Sequence, residues 1–200
     1  MGSDDLFKKR RAKLQARKKE LRTPKPNSFL IVSEGEKTEP LYFDGLANYI
    51  NQKYGNSVDV EKPIITTKGE GKCTVSLVEA TAKIVSRAPI MYSQVWVVFD
   101  KDDFYDFDKA IELAQANGYK VAWSNQSFEY WIYLHFNYSD SALHRDDWCY
   151  KLSQLFKARG INKNGYQKND PNVFDVAITQ GSLNFAINNA TRIEKVYNTS

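Results

Sequence analysis

Phe29-Leu30-Ile31-Val32-Ser33-Glu34-Gly35-Glu36-Lys37-Thr38-Glu39-Pro40 decides how the whole chain is read. Its first four residues form a short apolar run without alternation, the pattern of a strand buried on both faces. An acidic Ser-Glu-Gly turn follows. Thr38 then stands where a helix cap belongs, with Glu39 and Pro40 in the first turn, where an acid and a proline are favoured. A similar strand at Val95-Trp96-Val97-Val98-Phe99 runs into Asp100-Lys101-Asp102-Asp103. In an open α/β sheet, ligands collect at the carboxyl ends of such strands. Carboxylates gathered there repel one another unless a cation sits between them. The pair of acidic turns therefore points to a site for a hard divalent metal.

Working outward, the pattern predicts strands at 28–33, 58–66, 94–99 and 119–123. Between them it predicts helices over 38–54, from Thr74 (with Leu77, Val78, Thr81, Ile84 and Val85 on one face) and over 106–117. Lys68–Lys72 reads as a loop. The stretch 127–136 is apolar nearly all round and reads as a buried helix capped by Ser127. Alternating strands and helices argue for a mostly parallel sheet with helices on both faces. Beyond Asn137, short helices near 146–158, 172–179 and 182–197 are separated by polar loops. Three segments are expected: a basic N-terminal arm (1–26), an α/β core (27–136) and a C-terminal helical lobe (137–200).

The 200 residues suffice for one core and a decoration. No window approaches a membrane span, and no apolar signal stretch opens the chain, so cytoplasmic residence is expected. Cys73 and Cys149 lack metal-ligand spacing and read as reduced thiols. The net charge of +4 is unevenly spread: residues 1–26 hold ten Lys/Arg against three acids, which leaves the remainder mildly acidic. Lys8, Lys9, Arg10, Arg11, Arg17, Lys18 and Lys19 in this arm are candidates for phosphate contacts; the same run also suits a solvated helix.

A Mg²⁺ or Mn²⁺ ion takes oxygen ligands and keeps several waters, so few carboxylates per ion suffice. Asp100 ends a strand, Asp102 lies two residues on, and Glu34 enters from another strand. Lys37 and Lys101 are placed to offset charge on phosphate oxygens. Read singly, Asp100, Asp102 and Asp103 are also an acidic turn before a helix. Glu129 lies in the nearly all-apolar helix, where an unpaired carboxylate is costly. It reads as a further metal ligand or as the partner of an amide or an arginine, with Ser127 and Asn125 beside it. Lys68–Thr74 fails the phosphate-loop pattern, because Thr66 stands where a glycine is needed and Lys72 is not followed by Ser/Thr. His135 reads as a packed residue and His144 as an exposed one. Tyr133, Tyr138, Trp148, Tyr150 and Tyr166 suit core packing, with base stacking as the alternative.

Ile31-Val32-Ser33-Glu34-Gly35 together with Asp100-Lys101-Asp102 resembles a Toprim domain, the metal-binding fold of topoisomerases, primases and OLD-family nucleases. More specifically, Phe29–Leu41, Val95–Asp103, the helix before Asn117-Gly118 and Ser124–Phe136 resemble the RloB-like family. The likeness covers residues 28–136 and extends more loosely to the C-terminus. It implies a Toprim-like α/β core and a role in prokaryotic anti-phage defence or abortive infection, often beside an ABC-type ATPase. It implies a metal-dependent nuclease acting on RNA, tRNA included, or on DNA. Glu34 matches the Toprim glutamate, and Asp100 and Asp102 match the Asp-x-Asp pair; Glu36, Lys37, Asp103 and Glu129 are family-like without an assigned role. No nucleophilic tyrosine of the topoisomerase kind is identifiable. The alternative is a non-catalytic Toprim-like module that regulates or senses together with the ATPase. An oligomer is compatible with either reading.

Overall fold

A computed structural model of the chain describes residue 8 and residues 23–54 and 64–198. Strand β1 (Lys25–Ser33) leads into helix α1 (Thr38–Tyr54), then β2 (Ile64–Gly69), α2 (Thr74–Arg87), β3 (Tyr92–Lys101), α3 (Phe107–Ala116) and β4 (Lys120–Asn125). Four helices follow: α4 (Phe128–Leu134), α5 (Arg145–Ala158), α6 (Val173–Thr179) and α7 (Leu183–Asn198). The strands form one all-parallel sheet in the order β2-β1-β3-β4. This is the α/β architecture, helices on both faces and a helical C-terminal part, that the sequence pattern predicts. The expected arm and the 58–63 part of the second strand lie outside the described residues, apart from the exposed Lys8 and residues 23–26, of which Lys25 and Pro26 already belong to β1.

β1 and β3 are central, and register sets their ends together: Val32 pairs with Val97 and Ser33 with Val98. Alternation splits the core in two. On one face Leu30, Val32, Val95, Val97 and Phe99 pack against Leu77 and Val78 of α2 and Phe107, Ala110 and Ala114 of α3. On the other, Val98 and Ile31 join Tyr42 of α1, Phe128 and Ile132 of α4, Trp148 and Leu152 of α5, Phe174 of α6 and Ala186 of α7. α1 and α3, which follow the two central strands, thus cover opposite faces. That makes the gap between the β1 and β3 ends the point where the winding reverses, the place where open α/β sheets bind ligands.

Several local expectations are corrected. Thr38 does not cap its own helix; its hydroxyl donates to the Lys168 carbonyl. Thr74 is the first residue of α2, and Cys73 holds the cap position without a side-chain bond. Ser127 precedes α4 but makes no capping bond, and its buried hydroxyl has no partner among the described residues. β2 includes Lys68 and Gly69, which the sequence assigns to a loop. His135 is buried as expected, with Nε2 2.9 Å from the Tyr42 hydroxyl; burial pushes its pKa down to about 4. Tyr150 is exposed rather than packed, because it lies on the outer side of α5 while Trp148 and Leu152 face inward.

Candidate active site

The backbone after β1 is held from both sides. The Glu34 amide donates to the Val98 carbonyl (2.9 Å), while the Ser33 and Glu34 carbonyls accept from Glu70 (3.1 Å) and Gly71 (2.9 Å). This close approach explains two glycines. A Cβ on Gly69 would strike the Gly35 carbonyl and the Glu36 backbone, and one on Gly35 would strike the Glu39 carboxylate. The turn is therefore fixed by main-chain packing, and Glu34 points across to the end of β3, where its Oε2 accepts from the Asp100 amide at 3.3 Å.

Glu34 thus adjoins Asp100, and Asp102 is close enough to influence the Glu34 carboxyl. Burial raises the Glu34 carboxyl to about 7; Asp102 and Glu39 add to the rise, and the Asp100 amide and Arg145 oppose it. Asp100 is raised further, to about 8, by burial and then by Glu39, Glu34 and Glu129. Asp100 therefore feels carboxylates on two sides and is the hub of the cluster.

The structure adds Glu39, Arg145 and Lys168, which the sequence does not flag, and gives Glu129, which it does, defined partners. Glu39, on the first turn of α1, is buried; Oε1 accepts from the Gly35 amide at 3.2 Å, and burial raises its pKa, helped by Glu129 and opposed by Lys168. Arg145, the first residue of α5, is ion-paired through Nη2 with Asp102, whose other oxygen accepts from the Phe104 amide at 3.2 Å. Glu129, buried on α4, accepts from the Tyr166 hydroxyl at 3.2 Å and has Lys168 Nζ at 3.5 Å. The C-terminal part of the chain thus supplies Arg145, Tyr166 and Lys168 to carboxylates on the sheet end. Tyr166 does so through its hydroxyl, while its ring packs on Phe156.

Other expected site residues are placed differently. Lys37, Glu36 and Asp103 are exposed, and Lys37 makes no ion pair among the described residues. Lys101 is turned away: its Nζ lies between the Phe107 and Trp123 rings, 5.4 and 5.5 Å from their centroids. Aromatic faces attract the ammonium and also cover its stem. Of the arm residues, Lys9, Arg10, Arg11, Arg17, Lys18 and Lys19 lie outside the described residues.

Five carboxylates against two cations leave an excess of negative charge, and all five are hard oxygen donors. The donor chemistry fits a divalent cation such as Mg²⁺ or Mn²⁺. The arrangement is less ready than the sequence predicts: among the described residues, no group of three or more His, Cys, Asp or Glu side chains is set to hold a metal ion. Asp102 is engaged by Arg145, so a cation drawing on Asp102 competes with that ion pair.

A family model described as RloB-like protein matches residues 29–200. The chain belongs to the RloB-like family. No curated protein and no solved structure matches it. The matched span takes in every residue of the carboxylate cluster of this RloB-like chain and the three residues donated by its C-terminal part. Among the described residues, no helix is long and apolar enough to cross a membrane.

Proposed function

We propose that this RloB-like chain is a Mg²⁺- or Mn²⁺-dependent endonuclease that hydrolyses phosphodiesters of RNA, tRNA included, as an effector of prokaryotic anti-phage defence. The observation that carries the reading is the pairing of the buried Glu34 and Asp100 carboxyls, each raising the other, with Asp102 beside them, at the point where the sheet's winding reverses. These three would hold the cation. When bound, it supplies positive charge against the carboxylates and the non-bridging phosphate oxygens.

The remaining steps belong to the protein's own side chains. Burial raises the pKa of Glu39, which makes it a stronger base than an ordinary carboxylate and the group we assign to accept a proton from an attacking water. Arg145, once released from Asp102, presents its planar fork to a phosphate, a geometry that a lysine does not reproduce. Glu129, braced by Tyr166 and Lys168, keeps the far side of Asp100 negative and positions it. Lys37 at the rim and the basic arm (Lys8–Lys19) contact phosphates further along the strand, with a salt-dependent contribution. The expected setting is cytoplasmic, with an ABC-type ATPase as partner.

A second reading rests on the Arg145–Asp102 pair, which already neutralises part of the cluster: a non-catalytic Toprim-like module that binds or senses together with the ATPase. The full chain, with and without the ATPase, is incubated with RNA and DNA in Mn²⁺. Cleavage that disappears in Asp100→Asn supports the nuclease. Phage protection that survives Asp100→Asn, with the fold intact, supports the binding module.

A further inference from the structure

Beside the carboxylates lies a second feature, a hollow of about 210 Å³ formed by Asp103, Asn125, Gln126, Ala142, Leu143 and His144. Its position is fixed by the site itself. Asp103 adjoins Asp102, His144 adjoins Arg145, and those two neighbours are ion-paired. The Gln126 amide donates to the Lys101 carbonyl at 2.9 Å, continuing the β3–β4 pairing to the edge of the hollow.

Gln126 holds φ of +67°, a left-handed conformation unusual for glutamine and natural for glycine. Non-glycine residues kept in that region cluster at ligand sites. The side-chain amides of Asn125 and Gln126, both half-buried, make no hydrogen bond among the described residues. Two uncommitted amides therefore line the same small space, each offering a donor beside an acceptor.

We infer that this hollow receives one unpaired nucleobase of the strand bound at the carboxylate site, with adenine preferred. The inference rests on the nucleic-acid reading above and deepens it. Size favours a single heterocycle, since the hollow is smaller than the roughly 300–1,000 Å³ of drug-sized sites. Its lining excludes the other part of a nucleotide: it has an aspartate and no lysine or arginine, so a phosphate is repelled. Amides of Asn and Gln match the paired donor and acceptor of adenine N6 and N7. The imidazole of His144 supplies a face for stacking, and Ala142 and Leu143 supply apolar lining. A base enters such a hollow only from a single strand or a loop, where it can be splayed out of its stack.

The test is binding without chemistry. The full chain in Ca²⁺, supplied in place of Mn²⁺ to offset the carboxylates, is titrated against a labelled short strand of uridines and against the same strand with one central adenosine, read by fluorescence anisotropy. The adenosine strand binds about tenfold tighter, within the range of one bidentate amide–adenine contact. Gln126→Gly, which suits the backbone and so keeps the fold, abolishes the preference. Asn125→Ala weakens it, with thermal melting as the control. Equal binding of the two strands, binding of neither, or an unchanged preference in Gln126→Gly overturns the inference. Competition by free AMP as strong as that by the adenosine strand also overturns it, because a free nucleotide is then the ligand. Cleavage in Mn²⁺ is scored separately. Cutting without a base preference discards the hollow and leaves the nuclease reading; preference without cutting supports the hollow and discards the nuclease.

Discussion

The two faces of the sheet are built differently. Against α2 and α3 the core is mostly aliphatic, with Leu30, Val32, Leu77, Val78, Val95 and Val97 at its centre and Phe99 and Phe107 the exceptions. Against α1 and α4–α7 the core is aromatic, and polar groups are buried within it. Each of several such groups has a defined partner: Tyr42 with His135 at 2.9 Å, Tyr130 with the Ser139 carbonyl at 2.6 Å, Asn189 with the Leu134 carbonyl at 2.9 Å. An aliphatic face offers nothing to pair with a buried charge and serves as a platform. The aromatic face can carry Glu39 and Glu129, because the loop between α5 and α6 brings Tyr166 and Lys168 to Glu129 and the turn after β1 brings the Gly35 amide to Glu39. The chemistry follows the side of the sheet where polar groups can be satisfied.

The comparison is broken most severely at Asp100. Asp100→Asn is expected to reduce cleavage by on the order of 10²–10³, the scale of losing a group that acts on developing charge. It is also expected to raise the melting temperature at pH 8, because a buried repelled carboxylate is gone. Leu77→Ala, on the aliphatic face, should do the reverse: a loss of about 2–5 kcal/mol of stability, with Mn²⁺ affinity unchanged in the folded fraction. Denaturant unfolding and calorimetric Mn²⁺ titration separate the two outcomes.

Two smaller effects sharpen the contrast. Arg145→Ala removes the built-in cation, so Mn²⁺ binding should tighten by about two- to fivefold, the worth of a partly exposed ion pair; weaker binding would show that Arg145 organises the site instead of competing for it. The carboxylates at the sheet end and the buried imidazole should respond to pH with opposite signs. Glu34 and Asp100 are raised from 4.5 and 3.8 to about 7 and 8, so they favour the folded state when protonated. Their contribution is present at acid pH and is lost as pH rises through 7–8. His135 is lowered from 6.5 to about 4, so its contribution is present above 6.5 and is lost as pH falls towards 4. Melting curves of the metal-free protein across pH 4–9 should show both limbs. Asp100→Asn should flatten only the alkaline one.

The sheet and the placing of Glu34 and Asp100 at the ends of neighbouring strands are legible in the sequence because each rests on a local signal. A buried strand announces itself by composition, and whatever follows its last residue lands at the sheet's end. Arg145 and Lys168 are not legible, because nothing local ties Arg145 to Asp102, 43 residues away, or Lys168 to Thr38, 130 residues away. Those contacts exist only once the aromatic core has assembled. Glu39 is hidden for another reason: an acid in the first turn of a helix is already explained by the helix, so its burial gives no local signal. Lys101 misleads in the opposite way. Its place between two aspartates suggests a role in the site, but strand alternation sends its side chain to Phe107 and Trp123. Thr38 fails as a cap for the same long-range reason, since packing takes its hydroxyl for the Lys168 carbonyl.

The central claim is that Glu34, Asp100 and Asp102 share one divalent cation once Arg145 lets go of Asp102. Anomalous diffraction from crystals grown in Mn²⁺ tests it most directly. A manganese peak coordinated by all three carboxylates is expected, with the Arg145 guanidinium withdrawn from Asp102. A peak that excludes Glu34 or Asp100, or saturating Mn²⁺ with no peak at the ends of β1 and β3, would contradict it.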